Sequence, residues 1–251
     1  MTGLQIVSVD KISFRFAEGE ASIMENISFG AEKGEFVSLM GPSGCGKSTL
    51  LRIIAGLIKP SSGKVTYMNR QIRGPTPGMS FVFQDFALLP WLTNLENIKL
   101  GLSLTNLTEE EKTAKAMGLI DKFGLAGFED YYPNVLSGGM KQRIGIARAI
   151  ASEPHVLLMD EPFSALDELT ANTLRGDIMF MLQSKDISVN SVIMVTHNVE
   201  EAVELSDKIV VLTGKPATVK EIATVGIARP RNKRDPKFEE IVDEVYATIA
   251  K

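Results

Sequence analysis

The sequence predicts an α/β protein whose main sheet is mostly parallel, with an antiparallel β part toward the N-terminus and a helical segment inserted between halves of the sheet. Three observations predict it. Short, continuous apolar runs at residues 35–40, 156–159 and 191–195 suit strands covered on both faces. Stretches of helical spacing separate and follow these runs, as parallel strands require of their connections. The first thirty residues instead alternate apolar and polar side chains, the pattern of short antiparallel strands with one buried face.

Ile6, Val7, Val9, Ile12, Phe14, Phe16, Ile23, Ile27 and Phe29 carry that alternation, and Lys33-Gly34 turns the chain. The run at 35–40 enters a glycine-rich loop, then a helix from Thr49 that Gly56 stops. Residues 63–83 read as further strands, punctuated by Gly63, Gly74, Pro75, Pro77 and Gly78. From Thr93 to about Pro133 the character is helical, and Thr108 with Glu111 forms a capping box that opens one helix. Near the end, Arg229-Pro230-Arg231-Asn232-Lys233-Arg234 is a basic connector. It leads into an amphipathic helix with Phe238, Ile241, Val242, Val245, Tyr246 and Ile249 on one face, expected to dock on the same domain rather than on a membrane. The expected organisation is one domain over residues 1–251. Residues 1–85 and 150–212 form its core, 86–149 a helical subdomain and 213–251 a C-terminal extension.

Bulk properties remove several classes of function. A chain of 251 residues with 44% hydrophobic and 23% charged residues is ordinary for a globular protein. A net charge of −4 offers no basic footprint for nucleic acid. The single cysteine, Cys45, forms no internal disulfide framework and fits a reducing compartment. The N-terminal segment lacks the basic and apolar regions of a signal peptide, and no apolar run reaches the length of a bilayer span. A membrane role therefore needs other subunits.

The chemistry starts at Gly41-Pro42-Ser43-Gly44-Cys45-Gly46-Lys47-Ser48, between a strand and a helix beginning near Thr49. Glycines let the backbone wrap a phosphate closely, and bare amides at a helix N-terminus favour negative charge. Lys47 supplies a cation for the β- and γ-phosphates of a nucleotide, and Ser48 a hydroxyl for Mg2+. Asp160 and Glu161 follow the apolar run at 156–159. Asp160 is placed for the Mg2+ shell, and Glu161 to polarise an attacking water as general base.

Between these elements lies Leu136-Ser137-Gly138-Gly139-Met140-Lys141-Gln142-Arg143. The order of phosphate loop, Leu-Ser-Gly-Gly segment and Asp-Glu pair resembles ABC transporter ATPases, and the resemblance covers nearly the whole chain. It implies a P-loop nucleotide-hydrolase core. Gln84 resembles the family's glutamine loop, placed to touch the metal and the reacting phosphate. Ser164-Ala165-Leu166-Asp167 resembles its D-loop, and His197 its switch histidine, a γ-phosphate contact. Phe16 falls where the family stacks an aromatic ring on adenine. The resemblance further implies a head-to-tail homodimer on ATP, each nucleotide lying between one chain's phosphate loop, including Thr49, and Ser137-Gly138-Gly139 of the other. Met140 departs from the glutamine usual there, and activity is expected to survive because the phosphate contacts come from Ser137 and nearby backbone. His155 matches no motif. Cys45 reads as a small residue tolerated in a tight loop. Trp91 suits either a core or a contact with a membrane subunit.

One phosphate loop, no fused membrane segment and no long coiled coil resemble importer subunits of bacteria and archaea. Leu88-Leu89-Pro90-Trp91-Leu92-Thr93, Met140 and Arg229-Pro230-Arg231 are similar to the nitrate, sulfonate, taurine and bicarbonate group. The implied partners are integral membrane permease subunits and, indirectly, an extracytoplasmic solute-binding protein. The implied location is the cytoplasmic face of the membrane. Two alternatives stay open: a regulatory or mechanical ABC ATPase that transports nothing, and a small-molecule phosphotransferase using the same loop.

Overall fold

The structure is a computed structural model that describes residues 5–17, 19–183 and 188–250. By its internal contacts the chain separates into two compact units, residues 1–76 with 190–251, and residues 77–189.

The first unit opens with β1 (Gln5–Phe14), whose Val7, Val9, Ile12 and Phe14 are buried. It pairs antiparallel with β2 (Met24–Glu32), setting Val9 against Phe29 and Ile12 against Ile27, so the alternating residues meet on one face. β3 (Phe36–Met40) is buried along its whole length and feeds α1 (Lys47–Ile54). β4 (Ser62–Tyr67) lies antiparallel on the other edge of β1. A two-residue turn at Met68 and Asn69, both at positive φ, joins it to β5 (Arg70–Gln71). The order β2-β1-β4-β5 is the antiparallel sheet that the N-terminal alternation anticipates.

In the second unit β6 (Met79–Val82) runs toward α2 (Asn94–Leu100) and α3 (Glu109–Lys122). Both helices begin in capping boxes, Thr93 with Glu96 and Thr108 with Glu111, each satisfying two orphan amides. α4 (Gly138–Ala151) starts at the N-cap Ser137 and buries Ile144, Ile146, Ala147 and Ile150. β7 (Val156–Asp160) pairs parallel with β6, and α5 (Glu168–Gln183) follows.

The chain then returns to the first unit. β8 (Ser191–Val195) lies parallel to β3, then come α6 (Val199–Leu205) and β9 (Lys208–Thr213), parallel to the other edge of β3. β10 (Thr218–Thr224) closes this edge antiparallel to β9, so these strands run β10-β9-β3-β8. β10 has no counterpart in the sequence reading. It is a largely exposed strand, none of whose residues is buried, and its sequence carries no apolar run. α7 (Pro236–Ala250) packs Phe238, Val242 and Val245 with Met40, Val199, Val203 and Ile209, the same-domain docking expected of the amphipathic stripe. Tyr246 leaves that stripe. It is exposed, because the buried positions step by four, three and four residues and a residue one place past Val245 turns about 100° away. Among the described residues no helix is long and apolar enough to cross a membrane.

Candidate nucleotide site

In each unit the carboxyl ends of one parallel strand pair carry candidate residues. In the first unit, Leu39 of β3 stands level with Val195 of β8, and the Thr196 amide donates to the Leu39 carbonyl. Two residues beyond each lie Gly41, the start of the phosphate loop, and His197. In the second unit, Val82 of β6 stands level with Met159 of β7, and Gln84 and Glu161 likewise follow two residues beyond. A parallel register thus starts four sequence-distant residues from two level strand ends, the ends at which α/β sheets bind ligands.

The loop requires its glycines. Gly41 has φ 149°, and a Cβ there would stand 2.5 Å from the Leu212 carbonyl oxygen. Gly46, at φ 99°, is the N-cap of α1, and no side chain caps this helix. The first amides of α1 are accordingly left facing the loop, with the positive end of the helix dipole behind them. Lys47 is buried and its Nζ donates to the carbonyls of Gly41 (2.8 Å) and Pro42 (2.9 Å), folding the cation over the loop. Pro42, Ser43 and Gly44 are exposed, Ser48 and Thr49 half-buried. Cys45 is a buried free thiol, as a small residue filling the loop's interior. Phe16 is 68% exposed, held edge-to-face on the buried Phe14 at 5.2 Å, on the rim of a cleft of about 470 Å3.

His197 is exposed, and the turn beneath it is tied down. The Thr196 hydroxyl hydrogen-bonds the buried Glu201 carboxylate, and the Asn198 amide donates to Thr196 Oγ1 at 3.1 Å. Asn198 caps α6, its Oδ1 accepting from the Glu201 amide at 3.1 Å.

In the second unit Asp160 is 1% exposed at the end of β7, and Glu161 follows at φ 45°. That backbone region is costly for a residue with a Cβ, and it turns the Glu161 side chain away from the strand direction. The Glu161 carbonyl accepts from the Ser164 amide and hydroxyl, closing the turn. Gln84 is exposed at the head of a segment in which Phe86 and Ala87 also have positive φ. Ser137 accepts from the Met140 amide at 3.3 Å, so its hydroxyl and the Gly138-Gly139 backbone stand at the start of α4. A Cβ on Gly139 would meet Thr170 Cγ2 at 2.5 Å, which brings the Ser-Gly-Gly segment beside the start of α5. There the Asp167 carboxylate accepts from the Thr170 amide (3.0 Å) and hydroxyl (2.7 Å), which holds its pKa below the ordinary range.

Several structural residues behind this site were missed by the sequence reading. Arg148 of α4 and Asn97 of α2 fasten the segment after Gln84. Asn97 accepts from the Leu89 amide and donates to the Leu89, Leu92 and Thr93 carbonyls. No local signal marks them, because α2 also carries Asn94, Glu96 and Lys99, and α4 carries Lys141, Gln142 and Arg143. Trp91, in the segment so held, is 69% exposed, which removes the core alternative.

Residues 24–164 match the ABC transporter family model. The chain is 40% identical over 241 residues to the aliphatic sulfonates import ATP-binding protein SsuB of Bacillus cereus, covering 95% of this chain and 94% of that one. It is 39% identical over 255 residues to the nitrate import ATP-binding protein NrtD of Synechocystis, covering 98% and 94%. Its fold is similar to a dimeric post-hydrolysis state of the ATP-binding cassette MJ0796 bound to ADP and phosphate, with TM-score 0.77, 32% identity and coverage of 88% of this chain and 100% of that one. The family match, with about 40% identity to these relatives over nearly the full length and the shared fold, establishes that this chain, with its phosphate loop, Ser-Gly-Gly helix start and carboxylate pair, belongs to the ABC transporter family, as one of its ATP-hydrolysing subunits.

Proposed function

We propose that this chain powers uptake of a small anionic solute, of the nitrate or sulfonate kind, through separate permease subunits, by binding and hydrolysing ATP between two copies of itself. The observation that carries the reading is that one chain has both features, a capless α1 behind a glycine loop in the first unit and a Glu161 held at positive φ beyond β7 in the second. One binds a triphosphate; the other aims a carboxylate at water.

Each residue has a role in this reading. The amides of residues 41–49 wrap the β- and γ-phosphates, and Lys47 exchanges two neutral carbonyls for charged oxygens. Phe16 stacks on adenine. Ser48, Asp160 and Gln84 offer a hydroxyl, a carboxylate and an amide oxygen, hard donors that fit Mg2+ held mainly by phosphate. When bound, Mg2+ neutralises charge on the phosphates. Glu161 takes the proton of the attacking water, and His197 contacts the γ-phosphate and keeps water in line. Ser137, Gly138 and Gly139 close on the γ-phosphate of the partner copy, with Asp167 beside them. Because the γ-phosphate bridges the copies, the dimer closes on ATP and loosens after hydrolysis. The dimeric cassette with ADP and phosphate supports this arrangement.

Residues 86–149 act as a helical subdomain whose exposed Trp91 meets the permease. The chain sits peripherally at the cytoplasmic face of the membrane, and an extracytoplasmic solute-binding protein delivers the solute. The names of the relatives support the solute class.

The test is reconstitution of the chain with its permease in proteoliposomes, with the binding protein added. ATP-driven uptake of nitrate, a sulfonate, taurine or bicarbonate is expected. ATP hydrolysis that no permease stimulates would favour a regulatory ATPase and overturn the transport reading.

A further inference from the structure

The basic connector at 229–231 has no part in the site described above, yet its two arginines are directed at one short helix. α6 has seven residues, too few to hold a helical geometry alone. Its last carbonyls lack intrahelical donors, as at any helix end. Arg231 supplies them. Its side chain is 1% exposed, and its Nη1 donates to Val203 (2.7 Å), Glu204 (3.2 Å) and Ser206 (2.6 Å), while Nε donates to Ile227 at 2.9 Å. Arg229 Nη2 donates to Leu205 at 2.5 Å. The fold thus satisfies four successive carbonyls at the end of α6 with two guanidinium groups from more than twenty residues downstream.

The same arginines reach β3. Arg229 Nη1 lies 2.9 Å from Asp207 Oδ1, and Asp207 Oδ2 accepts from the Phe36 amide at 2.9 Å. The Asp207 amide in turn donates to the Phe36 carbonyl at 2.7 Å. Phe36 begins β3, which ends at the phosphate loop. Within this unit, therefore, the connector bolts the far end of α6 to the strand that leads into the phosphate loop. The near end of α6 is the Thr196-Asn198-Glu201 network beneath His197. Between the ends, Val199, Ala202 and Val203 pack into the α7 cluster. Burying a guanidinium is unfavourable: desolvation and the neighbouring Arg229 lower the Arg231 pKa to about 10, against the attraction of Asp207. Such a group is retained for its geometry, since one planar fork presents Nη1 to the end of α6 and Nε to Ile227 at once.

We propose that Arg231, assisted by Arg229, is a positioning residue for His197: it sets the axial placement of α6 relative to β3, and so the distance between the switch histidine and the phosphate loop. This rests on the reading of His197 as a γ-phosphate contact.

The experiment uses the full chain and exploits its two histidines, His155 and His197. Wild type, Arg231→Lys, Arg229→Gln and His197→Ala are compared by steady-state ATP hydrolysis and by NMR of labelled imidazoles. Arg231→Lys keeps the charge and loses the fork. Its kcat is expected to fall about tenfold with KM for ATP unchanged, the effect of a displaced contact rather than a lost binding group. The His197 resonances move while those of His155 stay. Arg229→Gln, which keeps every Arg231 contact, gives a smaller change in the same direction and serves alone if Arg231→Lys does not fold. A folded variant with wild-type kcat and an unmoved His197 overturns the proposal while leaving the ATPase reading intact. Wild-type turnover in His197→Ala would instead remove the histidine reading, and this proposal with it.

Discussion

Arg148 holds the backbone after Gln84 in place: its Nη1 donates to the Ala87 carbonyl at 2.7 Å and its Nη2 to the Phe86 carbonyl at 2.8 Å. Both acceptors belong to residues at positive φ, and Gly145, one turn earlier on α4, leaves room for the Phe86 carbonyl. Desolvation lowers the Arg148 pKa and Asp85 opposes it. The glutamine segment and the helix that begins at Ser137 are thus joined by one guanidinium.

Arg148→Met removes that joint and leaves two part-buried carbonyls without donors. Stability is expected to fall by roughly 2–4 kcal/mol, read as a lower urea midpoint at constant m-value. Arg148→Lys reaches one carbonyl at best and recovers only part of the loss. An unchanged midpoint would show the segment to be held by Asn97 alone.

Glu161 combines two demands in one residue. Glu161→Gln keeps the side-chain shape and loses the base, so ATP binding persists while turnover drops by about 10²-fold or more. Wild-type hydrolysis by this variant would refute the assignment. Its backbone makes a separate prediction: at φ 45° a Cβ is strained, so Glu161→Gly is expected to be more stable than Glu161→Ala by about 1 kcal/mol, contrary to their order in ordinary structure. Thermal melts of the pair decide it.

Lys47→Ala removes the cation that faces the loop. Affinity for ATP is expected to fall by about 10- to 100-fold, the worth of a charged hydrogen bond, with the fold retained. A fluorescent nucleotide titration measures this, and undiminished binding would count against the loop as the phosphate site.

Ser137 separates stability from assembly. Ser137→Ala loses an N-cap and costs about 1 kcal/mol. Ser137→Arg, introduced beside Glu161→Gln, is expected to bind ATP as a monomer, because the bulk stands where a second copy's γ-phosphate must approach. Size-exclusion chromatography with Mg-ATP reads the result, and an intact ATP-dependent dimer would refute the shared site.

The motifs were legible because each is local. A glycine loop between strand and helix, an apolar run ending in Asp160-Glu161 and a Ser-Gly-Gly helix start each need only a few consecutive residues. The capping box at Thr108 and the strand at 191–195 were legible for the same reason. Arg148 was not: it acts on carbonyls 61 and 62 residues away. Arg231, Glu201 and Asn97 were equally silent, since nothing in their neighbourhoods names their acceptors. β10 escaped because an edge strand needs no apolar run.

By itself the sequence determined the order of chemical parts: which backbone is bare, which carboxylates follow a buried strand, where helices begin. Those follow from residue type and short-range spacing. Only the tertiary structure decided which of these parts stand level with one another and what holds them there. Parallel register sets Leu39 level with Val195 and Val82 level with Met159, each two residues before a candidate residue, and buried guanidinium groups lock nearby turns. The reason is physical: register and long-range hydrogen bonds depend on where distant segments meet, and that is fixed only when the chain packs.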